Sequence, residues 1–282
     1  MATLETQAPP QAAAVAPTAP KTLVNYRVDG GIAILELVDP PANTYTHEMM
    51  RQLDEAILRA RFDDDVHVLL LRGAGEKFFS AGANISMLNS VTPGFKYYFC
   101  LHANETLLRL EHTPKLVIAA LNGHTVGGGL EIAMAADIRI ARKDAGKIGL
   151  PEVTLGVLPG TGGTTRLARL VSKSVAIELM VLGNTFSFEE AEAHGIVNHV
   201  WEGSPEEFWQ QILDYARQFV PPNKASKAVG RIKRAVQTGS EIPLDVALAL
   251  ERELQQQLFQ SEDAKEGISA YVQKRVPKFS GR

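Results

Sequence analysis

The spacing of apolar residues changes character along the chain. Residues 23–28 and 32–38 form two short apolar-rich runs around Asp29-Gly30-Gly31, which predicts a hairpin. Asp39-Pro40-Pro41-Ala42-Asn43 reads as a loop. Thr46 is placed to cap a helix running to about residue 61, with Met50, Leu53, Ile57 and Leu58 on one face. Residues 67–72, entered through Val66, are an almost continuous apolar run, which suits a strand buried on both faces. Residues 116–121 repeat that pattern, and 138–141 do so more briefly. Between these runs lie a loop rich in Gly and Ala (73–84), a helix (97–111), a glycine-rich turn (122–129) and a helix (130–136). The alternation predicts an α/β core with a partly parallel sheet. Beyond Gly149 the pattern is helical, over 164–171, 174–182, 187–195, 205–219, 223–237, 243–259 and a last helix from Ser261 through Val272. The C-terminal third is therefore expected to be all helix.

Composition narrows the partners. A chain of 282 residues accommodates one large domain, or a domain with a helical appendage. Its formal net charge of -3 leaves no broad basic surface, which argues against nucleic acid as a partner. Lys224, Lys227, Arg231, Lys233 and Arg234 fall on one late helix and read as a solvated face. The single cysteine, Cys100, can form no internal disulfide and has no neighbour for a metal site. Beside Tyr97, Tyr98 and Phe99 it reads as a small core residue. No segment is long and apolar enough to span a bilayer, and the N-terminus lacks a secretory pattern, so a cytoplasmic setting is expected. Residues 1–22 read as a disordered Ala/Pro-rich tail, 23–200 as the core and 201–282 as a helical C-terminal region.

Two glycine-rich loops each follow a buried strand: Lys77-Phe78-Phe79-Ser80-Ala81-Gly82-Ala83-Asn84, and Asn122-Gly123-His124-Thr125-Val126-Gly127-Gly128-Gly129-Leu130-Glu131. Ligands of α/β sheets bind at the carboxyl ends of strands, and small residues there leave backbone NH groups open. A helix start after Gly127 would offer NH groups without internal partners to an oxygen that becomes negative. Three glycines before a helix also make a plain tight turn, and the motif alone leaves both readings open. It is neither a phosphate loop nor a dinucleotide fingerprint. Glu131 and Glu152 stand out because both sit among apolar residues. A buried carboxylate needs either backbone partners or a role in proton transfer, and a pair of them suits general acid/base chemistry.

These segments, with Leu150-Pro151-Glu152-Val153 through Leu167 and Ala191-Glu192-Ala193-His194-Gly195-Ile196-Val197, resemble the crotonase superfamily, the enoyl-CoA hydratase/isomerase family. The resemblance covers roughly residue 23 to the C-terminus. It implies a spiral core of ββα units with a helical C-terminal trimerisation region, assembled as a homotrimer or homohexamer. It implies an acyl-CoA thioester as substrate, with no cofactor beyond the coenzyme A of that substrate and no metal. By position, the oxyanion donors fall on the NH groups of Ala83 and Gly128, and the catalytic carboxylates on Glu131 and Glu152. CoA contacts fall on Lys77 and on the stretch Ala81, Gly82, Ala83, Asn84 and Ile85. The implied reaction is hydration of a 2-enoyl thioester; isomerisation, hydrolysis, decarboxylation or ring chemistry on CoA thioesters is the alternative. Asn84 departs from the family's usual Asp. Tyr45 and His47 depart from its usual small and apolar residues, which suggests either an unusual acyl pocket or a plain helix start with His47 exposed. His124 is expected to pack and to hydrogen-bond.

Overall fold

The computed structural model describes residues 21–282, so all but the end of the expected tail lies outside the described residues. β1 (Val24–Asp29) and β2 (Ile32–Leu37) pair antiparallel, with Asp29 opposite Ile32 and Gly30-Gly31 as a two-residue turn. Both glycines hold positive φ, 54° and 83°, as a two-residue hairpin matched to strand twist requires. Thr46 caps α1 (His47–Phe62), its hydroxyl accepting from Met49 N, and Met50, Leu53 and Ile57 are buried beneath it.

The chain then cycles through long strand, short strand and helix. The first cycle is β3 (Val68–Gly73), β4 (Phe78–Ser80), α2 (Ile85–Ser90) and α3 (Pro93–Glu111). The second is β5 (Leu116–Leu121), β6 (His124–Val126) and α4 (Gly128–Met134). The third is β7 (Ile138–Arg142), β8 (Ile148–Gly149), a 3-10 turn (Glu152–Leu155) and α5 (Gly163–Leu170). After α6 (Lys173–Leu182) and α7 (Phe188–Ala193), β9 (His199–Trp201) closes the large sheet in the order β1-β2-β3-β5-β7-β9, parallel from β2 onward. The short strands form a second parallel sheet, β4-β6-β8. Each cycle thus adds one strand to each sheet, which is a spiral of ββα units.

The long strands are apolar on both sides because both sides are covered. Leu69, Leu71, Val117, Ala119 and Leu121 join Met50, Leu53 and Ile57 in one core. Val68, Leu70, Ile118 and Ile140 join Phe208, Ile212 and Ala216 of α8 (Pro205–Arg217) in the other. Each large aliphatic side chain so buried contributes about 1.5–3 kcal/mol. The chain ends in α9 (Ser226–Gly239), α10 (Leu244–Phe259) and α11 (Glu262–Val272).

Several sequence expectations change. The segments read as loops at 73–84 and 122–129 contain β4 and β6, and the C-terminal third contains β9 and is not all helix. α2 was not expected at all. α3 begins at Pro93, earlier than residue 97, because Thr92 caps it and proline suits the first helical position. Lys233 is not on a solvated face: it is 7% exposed and paired with Asp137 at 2.8 Å, tying α9 to the start of β7. Cys100 is half-buried rather than core, and Tyr97 and Tyr98 beside it are exposed. On α6, Ile177, Val181 and Leu182 are exposed in the single chain.

Candidate active site

β4 and β6 are adjacent and parallel, so the glycine-rich segments that follow them emerge on the same side. The loop before α1 stitches the first segment in place. Buried Asn43 donates its side-chain amide to Ala74 O and Phe78 O, at 2.9 Å each, and Ser80 Oγ donates to Asn43 O at 2.7 Å. Ala81 N donates to Ala42 O, Tyr45 N to Gly82 O and Asn84 N to Tyr45 O, at 2.9, 2.9 and 3.0 Å. In this parallel bridge Tyr45 engages residues 82 and 84, so the NH of Ala83 between them faces the opposite side. It has no protein acceptor among the described residues.

Gly82, at φ 88°, approaches α4 so closely that a Cβ there would lie 2.8 Å from Gly128 N. The Ala83 and Gly128 amides are therefore neighbours. Gly127 turns the chain from β6 into α4 at φ 56°, ψ -131°, a conformation open to glycine. Its own NH goes to Gly149 O at 2.8 Å, while Gly128 is the first helical residue, whose NH has no partner within the helix. Two free amides side by side at a helix start form a site for an oxygen acquiring negative charge.

The two glutamates flank these amides in different settings. Glu131, 2% exposed, accepts at Oε1 from Thr161 N and Gly163 N, each at 2.7 Å. Burial raises its pKa, while those two amides, then Arg166 and Lys96, pull it back. Glu152 is half-buried at the start of the 3-10 turn; a Cβ on Gly127 would sit 2.9 Å from its Oε1. Its Oε2 is shielded and has no donor among the described residues. Burial is the main cause that pushes its pKa up to about 7, partly offset by a backbone hydrogen bond and reinforced by the charge of Glu131. Burial thus raises both carboxyls; two NH donors favour the anion of Glu131, and Glu152 is set to carry a proton near neutrality.

All the residues expected from the sequence at the oxyanion site and its carboxylates converge here. Of the expected CoA-binding stretch, the Ala81 and Asn84 amides are already engaged, and Ile85 is exposed at the start of α2. Asn84 has a structural role: its side chain caps α2 by accepting from Met87 N at 2.9 Å and reaches Thr44 Oγ1 at 3.2 Å. Lys77 is exposed, its ammonium 5.7 Å from the Phe78 ring centre. His124 packs on Phe78 and accepts from Lys147 N at 3.0 Å, as expected. His47 opens α1 but is half-buried against His102 and Phe95, and Tyr45 is fully buried. Sequence reasoning gave no site role to Thr161, Gly163 and Arg166, although they lie in the family-like segment 150–167, nor to Lys96. Among the described residues there is no cluster of three or more side chains suited to a metal, and no helix long and apolar enough to cross a membrane.

Comparison with known proteins places this arrangement in context. The family model for enoyl-CoA hydratase/isomerase matches residues 27–282. The chain is 38% identical over 248 residues to a short-chain-enoyl-CoA hydratase of Clostridium acetobutylicum, covering 88% of this chain and 93% of that one. It is 34% identical over 249 residues to a crotonyl-CoA hydratase of Syntrophomonas wolfei, covering 88% and 94%. A crystal structure of an enoyl-CoA hydratase from Geobacillus kaustophilus HTA426 superposes with a TM-score of 0.90 at 46% identity, covering 94% of this chain and 98% of that one.

Proposed function

The chain belongs to the enoyl-CoA hydratase/isomerase family of the crotonase superfamily, and from that premise we propose that it adds water across the 2,3 double bond of an acyl-CoA thioester. The observation that carries this reading is the pair of glutamates beside the free amides, one held by two NH donors and the other raised to about 7. Separate settings for two carboxylates support separate base and acid roles.

In this reading the thioester oxygen lies between the amides of Ala83 and Gly128, which stabilise it as an enolate; one such donor lowers the barrier by about 3–4 kcal/mol. Glu131 positions a water and takes its proton as the oxygen bonds to C3. Glu152 gives its proton to C2. The proton left on Glu131 returns to Glu152 between turnovers, which closes the balance. Coenzyme A enters as part of the substrate, contacted by Lys77 and the backbone of Ala81–Ile85 in sequence order, and no separate cofactor takes part. The exposed apolar side chains of α6 support self-association as a homotrimer or paired trimers, and the protein is assigned to the cytoplasm.

The test offers crotonyl-CoA and a 3-enoyl-CoA in heavy-oxygen water to the wild type, Glu131→Gln and Glu152→Gln. The wild type is expected to place the label on C3 of crotonyl-CoA, with each variant at least about 100-fold slower. A shifted double bond without label would make the protein an isomerase. Full activity in both variants would remove the glutamates from the chemistry.

A further inference from the structure

Tyr45 meets the site in three ways, through its backbone, its ring and its hydroxyl. Through its backbone it fixes residues 82 and 84, and so turns the Ala83 amide toward the site. Its ring lies against Gly128: a Cβ on that glycine would run into Cε1 and Oη of Tyr45. Its hydroxyl shares a hydrogen bond of 2.9 Å with Thr161 Oγ1, and the backbone NH of Thr161 in turn donates to Glu131 Oε1 at 2.7 Å. Tyr45 and Thr161 are each 1% exposed, so solvent offers the phenol no alternative partner. Phe99 packs on the ring at a centroid distance of 5.6 Å and holds it there.

We infer that Tyr45 is a positioning residue for the reaction: its phenol sets the loop that holds Glu131 in register with the Ala83 and Gly128 amides. This rests on the hydratase reading above. A hydroxyl sealed in the core costs free energy unless it is hydrogen-bonded, so the Tyr45–Thr161 pair is held to one geometry. That geometry fixes where the Thr161 NH points, and therefore where Glu131 Oε1 sits. Burial also raises the pKa of the phenol well above its ordinary value, with the charge of Glu131 acting the same way, so Tyr45 is neutral and either hydroxyl can donate in this bond. A leucine or alanine at position 45 could preserve the backbone bridge but not the link to Thr161.

The test uses the full-length protein with Tyr45→Phe, which keeps the ring against Gly128 and removes only Oη, and with Thr161→Val, which keeps the backbone NH and replaces Oγ1 with a methyl group. Two measurements are made: steady-state hydration of crotonyl-CoA, and the titration of the Glu131 carboxyl by carbon-13 NMR, with the signal assigned by its loss in Glu131→Gln. Tyr45→Phe is expected to lower kcat roughly tenfold with KM little changed, because the displaced group acts on the reacting water. It is also expected to raise the titration midpoint of Glu131, because the NH donors that favour its anion lose their alignment. Thr161→Val should reproduce both effects, and the double variant should be no worse than either single one. If Tyr45 only fills the core, Tyr45→Phe lowers the thermal midpoint but leaves the Glu131 titration unmoved, and an unmoved titration overturns the inference whatever the rate does. The titration needs no turnover. Failure of the wild type to hydrate any enoyl-CoA would therefore overturn the proposed function separately, with Tyr45 still judged by the titration.

Discussion

Glu152→Gln is expected to change how stability depends on pH, without any substrate present. The substitution keeps the shape of the side chain and removes its ionisation. In the unfolded chain Glu152 titrates near 4.5; in the folded protein burial moves it up to about 7. The folded state therefore binds the proton more tightly than the unfolded one. The stability this contributes is fully present below pH 4.5 and is lost as pH rises through 7. At 1.36 kcal/mol per unit, the shift corresponds to about 3 kcal/mol for a sealed group. The Glu152 side chain is only half-buried, and solvent screening reduces this to about 1–2 kcal/mol. For a domain of this size each kcal/mol moves Tm by roughly 2–4 °C. Scanning fluorimetry of wild type and variant between pH 4.5 and 8.5 should show the Tm of Glu152→Gln gaining roughly 2–8 °C on the wild type as pH rises across that range. Titrating groups that are not coupled to Glu152, His67 and His102 included, cancel in the difference between the two proteins. The same ionisation should make wild-type kcat/KM fall above about pH 7, as the acid proposed to protonate C2 is lost. A difference in Tm that stays flat from pH 4.5 to 8.5 would mean that Glu152 ionises as an ordinary carboxyl, and would refute the reasoning.

Three further outcomes follow from the same geometry. Gly128→Ala forces a Cβ into the Tyr45 ring and so displaces one amide of the pair; crotonyl-CoA hydration should lose about 100-fold in kcat, and an unchanged kcat would show that this amide does not meet the thioester oxygen. Lys233→Met leaves Asp137 buried with its charge partner gone, although Val117 N and Gln237 still donate to it; denaturant unfolding should show a loss of about 3–5 kcal/mol, and a loss under 1 kcal/mol would mean that the pair is solvated. Val181→Asp places a charge in the exposed apolar patch of α6; mass photometry should show the proposed trimers in the wild type giving way to single chains in the variant, and an unchanged assembly would put the subunit contact elsewhere.

The parts of this site that were legible in the sequence are those whose chemistry is written in their own neighbourhood. Glu131 was legible because Leu130, Ile132 and Ala133 surround it, and they are buried as their composition requires. β3 and β5 were legible because strands covered on both faces lose the polar alternation of ordinary surface strands. β4, β6 and β8 were not, since two or three residues cannot display a period and their ladder partners lie in other cycles of the spiral. Lys233 looked like one of a run of surface cations because Asp137, which makes its burial tolerable, lies far earlier in the chain. Tyr45 shows the same limit at the site itself. Its backbone partners lie at residues 82 and 84, its ring contact at Gly128 and its hydroxyl partner at Thr161. The donors that hold Glu131 are likewise 30 and 32 residues downstream of it. A catalytic group announces itself through burial that its type resists, whereas a group that positions it is an ordinary core residue until the fold brings the two together.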